Sequence, residues 1–259
     1  MTCNSCPTDS LRRWWAAPSL LALTAVASPG LAPPLTAQDA GRPPAVVEEA
    51  ELPHPFFTHM GLPEGVGVFN LRLAGLATRA DGKTEGDFAF HFETGITQRI
   101  GLHIRNDRFL DVPRSEVMFQ FAAFTSADGM SGFAPIIEFE IPTRSGSGSR
   151  INSLVGFTST LANARLVFNQ ALHYNPREDG VDASAALVAG VWKRVFPVIE
   201  VLGEGARGER PIVNLLGGLK VQVREGMVFG IAYQFPVSSR EDFSSQLVAM
   251  PEFEWKRVR

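Results

Sequence analysis

Histidine is scarce in this chain, five among 259 residues, and two of the five fall in one short stretch, His54-Pro55-Phe56-Phe57-Thr58-His59-Met60. Imidazole and thioether together suit a soft metal, so His54, His59 and Met60 form a candidate copper-binding set. The same stretch has a second reading. Phe56, Phe57 and Met60 would tuck it against or into the body of the protein, leaving the histidines to face water. His91 and His103, with Glu93 nearby and His173 further on, form a second group that could hold a metal or relay a proton, or simply sit in a satisfied polar network. Glu138 and Glu140 stand two apart, so on a strand both point one way. Paired carboxylates can do acid–base chemistry of the glycosidase kind, or they can pair with Arg105 or Arg165. A lone Cys-x-x-Cys, Cys3 and Cys6, has no second pair to complete a metal site. Gly-x-Ser-x-Gly, a phosphate-binding Walker loop and His-Glu-x-x-His do not occur. The expectation is therefore no enzyme and no cofactor.

What positions these residues is a chain that alternates almost throughout. Phe69, Leu71 and Leu73 take every second place; Phe88, Phe90 and Phe92 do the same, then Ile100, Leu102 and Ile104, then Val117, Phe119 and Phe121. The pattern runs on through Ile137, Phe139 and Ile141 to Val213–Val223, Phe229–Val237 and Leu247–Trp255. A period of two means strands with two different faces, and Asp81-Gly82, Asp128-Gly129 and Glu225-Gly226 are turn pairs between them. About twelve such segments of about ten residues follow one another with no helical period.

The second face carries charges of both signs among many small residues. It places Arg72, His91, Glu93, Arg99, His103, Arg105, Glu138, Glu140, Arg165, His173, Glu200, Lys220, Arg224, Glu252 and Glu254 on one side. Such a face suits a narrow lumen, while the apolar face suits lipid. The fold expected is all-β: a single closed antiparallel up-and-down transmembrane β-barrel over residues 65–255. A signal peptide over residues 1–37 precedes it, with Arg12-Arg13 before an apolar run that ends in small residues. A single membrane anchor is the alternative for that segment. A flexible Pro-rich arm spans 38–64, and a basic tail spans 256–259. A formal net charge of −3 offers no electrostatic case for nucleic acid. A soluble secreted β-protein, whose polar face meets water, is the competing fold.

Three stretches carry a resemblance. They are Ala189-Gly190-Val191-Trp192 through Pro197-Val198-Ile199-Glu200, then Leu216-Gly217-Gly218-Leu219, then Gly230-Ile231-Ala232-Tyr233-Gln234-Phe235-Pro236-Val237. Together they resemble the transporter-like outer-membrane barrels named for the MetA pathway of phenol degradation. Their common elements are a strand-borne Glu, a glycine-marked strand and an aromatic strand ending in Pro. The resemblance covers the last third of the chain and implies an outer-membrane location and passage of small, including hydrophobic or aromatic, solutes. It supplies no catalytic residue. The partners expected are outer-membrane lipid, the barrel-assembly machinery and a small-molecule solute. Such barrels commonly end on an aromatic residue that helps assembly, whereas here Trp255 is followed by Lys256-Arg257-Val258-Arg259. A plugged barrel with a binding role, including copper handling through the His/Met arm, is the other function considered.

Overall fold

The computed structural model describes residues 52–110, 114–143, 151–238 and 243–257. The expected signal, Cys3 and Cys6, arm residues 38–51, the Ser-Gly loop 144–150 and the last two residues lie outside them.

Twelve long strands and one short one make up the barrel. In chain order they are β1 (Val68–Ala80), β2 (Lys83–Thr97), β3 (Ile100–Asn106), β4 (Arg114–Phe121), the two-residue β5 (Phe124–Thr125), β6 (Gly132–Pro142), β7 (Asn152–Asn163), β8 (Leu166–Asn175), β9 (Gly180–Ala189), β10 (Val195–Ala206), β11 (Ile212–Arg224), β12 (Met227–Pro236) and β13 (Ser245–Lys256). Each long strand pairs antiparallel with its neighbours in the chain; β4 passes over β5 to pair with β6, and β1 pairs with β13. That last pairing closes the ring, so no long strand is left with an unpaired edge.

Burial is inverted relative to a water-soluble protein. On β11, Lys220 is 0% exposed between Leu219 at 51% and Val221 at 41%. The largest buried side chains include Arg72, Lys220, Glu93, Glu138 and Glu200, while Phe88, Ile137, Ile199, Ile231 and Leu247 face outward. A closed sheet that is polar within and apolar around its girth is the arrangement a bilayer demands, since every backbone group is satisfied inside the wall. Phe69 stacks on Trp255 across the β1–β13 seam, with ring centroids 5.8 Å apart, an aromatic pair of the kind that sits at a membrane interface.

The two ends of the barrel differ. Thr97 to Ile100, Asn163 to Leu166 and Arg224 to Met227 are tight turns at the end where β1 begins and β13 finishes. Longer connections, such as those from Asn106 to Arg114 and from Pro142 to Asn152, lie at the other end. Asp81-Gly82, short as it is, belongs to this long-loop end. Its φ values of 49° and 75° are those of a tight two-residue hairpin, which needs both central residues in the left-handed region.

The apolar exterior gives a direct expectation. Ile231→Arg, on the outer face within β12, should cost about 2–4 kcal/mol of stability in lipid vesicles, whereas Val237→Arg, just past the end of the strand, should cost about 0–1 kcal/mol. Reversible urea unfolding of vesicle-inserted protein measures both. Equal and small costs would mean that this face meets water.

Candidate functional site

The lumen is occupied by the chain itself. Residues 53–59 are all buried, with Met60 beside them half-buried, and their contacts are with the inner faces of the strands. The arm expected to be mobile is therefore packed inside the barrel over Leu52–Glu64. A buried irregular segment must find a partner for every backbone polar group. Pro53 and Pro55 have no N–H to satisfy. The N–H groups of His54, Phe56, Phe57, Thr58 and Gly61 go to side chains of the wall. Glu200, fully buried on β10, accepts from the backbone N–H of Phe56, of Phe57 at 3.0 Å and of Thr58 at 2.9 Å, and from the Thr58 hydroxyl at 3.0 Å. Successive N–H groups converging on one carboxylate make an anion cradle. Gly61 N–H donates to Asn169 Oδ1 at 3.2 Å.

Four carbonyls of the segment are met in the same way. Pro55 O accepts from Arg72 Nη1 at 3.0 Å and Lys220 Nζ at 3.1 Å. Phe57 O accepts from Arg105 at 3.4 Å, Met60 O from Gln120 Nε2 at 2.8 Å, and Gly61 O from the Thr158 hydroxyl at 3.2 Å. Phe56 is fully buried. Its ring lies over the wall where β11 and β12 carry Gly218 and Gly230, and a Cβ at either position would stand 2.7–2.8 Å from ring atoms of Phe56. These two glycines form the notch that receives the ring. Lys220 Nζ sits 4.9 Å from the ring centroid, close enough for a cation–π contact.

Two groups of charges flank the segment. In one, Arg72 pairs with Glu93, Lys220 with Glu252 at 2.7 Å, and His54 with both Glu252 at 2.7 Å and Glu64 at 2.6 Å. In the other, Arg105 pairs with Glu116, Arg114 with Glu140 at 3.0 Å, His91 with Asp107, and His173 Nδ1 lies 2.9 Å from Glu138 Oε2. Burial pushes the carboxyl of Asp107, in the loop after β3, upward. Arg105 and His91 beside it outweigh burial and hold it below the usual carboxylate range. Toward the long-loop end the lumen widens into a cavity of about 610 Å3. Phe57 and His59 of the inserted segment line it, with Arg105, Glu116, Glu140, His173, Asp182 and Glu204 from the strand ends and loops.

Of the fifteen residues expected on the lumen face, Arg72, His91, Glu93, His103, Glu138, His173, Glu200, Lys220 and Glu252 are buried inside the barrel. Arg105, Glu140 and Glu254 are part-buried on the same side. Arg99, Arg165 and Arg224 are exposed. Arg99 and Arg165 stand in the tight β2–β3 and β7–β8 turns, and Arg224 is the last residue of β11, beside a register shift. Strand alternation does not extend into a turn, and a register shift breaks it within a strand, so counting by twos does not place these three.

Three groupings left open by the sequence also take a definite form. His91 and His103 do not pair with each other: His91 lies opposite Arg105 in the register and bonds Asp107, while His103 lies opposite Glu93 and bonds Gln120 at 3.1 Å. Glu138 and Glu140 meet His173 and Arg114 rather than Arg105 or Arg165. His54, His59 and Met60 do not converge as a copper set. Both ring nitrogens of His54 are engaged by carboxylates, Met60 Sδ contacts Asn169, and the His59 ring stacks on His173 with centroids 5.1 Å apart. Residues missed from sequence are the neutral ones that hold the backbone: Gln120, Thr158 and Asn169. Each occupies an inward position of its strand, so strand parity was a usable signal for them.

No protein-family model and no curated protein sequence matches this chain. Solved barrels share its architecture. A KdgM porin superposes with a TM-score of 0.53 at 8% identity, covering 71% of this chain and 98% of that one. A KdgM porin in complex with disordered oligogalacturonate gives 0.50 at 8% identity, covering 74% and 99%. The COG4313 outer membrane channel from Pseudomonas putida F1 gives 0.50 at 7% identity, covering 79% and 100%. In fold, the chain is a twelve-stranded β-barrel of the outer-membrane porin and channel type.

Proposed function

We propose that this chain is an outer-membrane channel for small neutral or cationic solutes, closed at rest by its own residues 52–64. The observation that carries the reading is how the segment is held. It is not a covalent stopper. Polar and charged side chains of the wall hold its backbone, beneath a cavity that faces the long-loop end. Wall groups of that kind can be handed over to water or solute when the segment leaves.

The charge of the cavity narrows the solute. Among its described lining residues, Glu85, Asp87, Asp107, Glu116, Glu140, Asp182 and Glu204 face Arg105 and Arg108. A polyanion of the oligogalacturonate type, which one KdgM porin structure contains, is disfavoured at such an acidic entrance. A small uncharged compound is not, and the likeness of the last third to the phenol-pathway barrels supports uncharged aromatic solutes within that class. The test is the zero-current potential across a planar bilayer under a KCl gradient. Its sign should mark cation preference. Anion preference would defeat the solute class, and a barrel that stays silent even without the segment would defeat the channel.

A further inference from the structure

We infer that the lumen contains a metal site that nothing in the chain's family resemblance anticipates: His59 of the inserted segment with His173 and Glu138 of the wall, selective for a borderline divalent transition ion such as Zn2+. One ligand atom from each of the three lies within 4.8 Å of the other two, and all three residues are buried. Two imidazoles and a carboxylate, with a fourth position left to water, is the donor set of an open zinc site.

Independent observations at the cluster point to a ligand. His59 Nε2 is buried with no hydrogen-bond partner, an arrangement that a coordinate bond would resolve. His173 Nδ1 and Glu138 Oε2 stand 2.9 Å apart, and Glu138 Oε2 too is buried without a hydrogen-bond partner. His59 and His173 both line the cavity, which provides the path of entry. Arg105, which donates to the carbonyl of Phe57 near His59, has its charge met by Glu116 and Asp107.

The neighbouring group His54, Glu64 and Glu93 has comparable spacing, but its histidine has no nitrogen to spare. Its His54 has both ring nitrogens engaged, and its Glu93 is paired with Arg72. The absence of a thioether or thiolate from the His59 cluster favours Zn2+, Co2+ or Cu2+ over Cu+. Because one ligand belongs to the segment and two to the wall, an ion here would fasten the stopper to the barrel.

The experiment uses the untagged full chain, folded in detergent and stripped of metal. Co2+ is titrated in while the visible absorption of a tetrahedral centre is followed, and Zn2+ is then added to displace it. One equivalent should bind. His173→Ala and Glu138→Gln should each weaken binding on the order of a hundredfold or more, while His91→Ala should not. His59→Ala, outside the wall, is the variant that leaves the barrel strands untouched, and heat-modifiable gel migration reports that each variant is folded. A folded wild-type barrel that takes up no stoichiometric Co2+ or Zn2+ overturns the site, as does wild-type affinity in folded His59→Ala.

Discussion

Removal of residues 52–63 should turn a barrel that is shut nearly all the time into a steadily conducting one. Seven charge-assisted hydrogen bonds hold residues 55–58: four to Glu200, three from backbone N–H groups and one from the Thr58 hydroxyl, and one each from Arg72, Lys220 and Arg105 to backbone carbonyls. At about 1.5 kcal/mol apiece, the low end for bonds to charged groups, they exceed the roughly 5.5 kcal/mol that separates a two-state balance of 1:99 from one of 99:1. The open fraction of the intact chain then falls below about 1%, so time-averaged conductance should rise about a hundredfold on deletion. Single-channel recording in planar bilayers measures it. Equal conductance before and after deletion would show that the segment is not what closes the lumen.

Arg72→Met should be among the most destabilising single substitutions in the wall, at about 3–5 kcal/mol, because it removes one partner of a buried ion pair. Arg72 and Glu93 are 1% exposed each, and Arg72 also supports Pro55 O. Without it, Glu93 keeps, among the described residues, His103 at 3.6 Å and His54 at 3.7 Å. The double variant Arg72→Met/Glu93→Leu should recover most of the loss, since an apolar pair of similar volume is often neutral or better than a buried ion pair. Urea midpoints of the three proteins decide the point. A double variant no more stable than Arg72→Met alone would mean that the arginine acts through the inserted segment and not through Glu93.

The wall was legible in the sequence because its rule is local. Phe88, Phe90 and Phe92, or Phe229, Ile231 and Tyr233, declare a strand and its lipid face within a few residues, and one parity choice assigns the inward side. The three exposed arginines mark where that rule ends, at a turn for Arg99 and Arg165 and at a register shift for Arg224. The inserted segment was not legible as such because its partners are remote: Phe57 N–H finds Glu200, 143 residues away. A Pro-rich stretch without period reads as mobile when the side chains that satisfy it lie elsewhere in the chain. The clue was present in another form. Phe56-Phe57 suggested tucking in, and the strand-borne glutamate and glycine-marked strands behind the family resemblance include Glu200, Gly218 and Gly230, which cradle Phe56 and its neighbours.

Glu252 sits on the final strand, opposite Arg72 of the first, at the seam where the ring closes. Its carboxylate takes Asn70 from β1 at 3.2 Å, Lys220 from β11 at 2.7 Å and His54 from the inserted segment at 2.7 Å. One side chain thus serves as both zip-fastener and latch. The cylinder cannot be parted along β1–β13 without unhooking the segment inside it. Nor can the segment be withdrawn without stripping the seam of a charge that helps hold it. The last of the described strands is therefore also the one that registers whether the first of the described residues are in place.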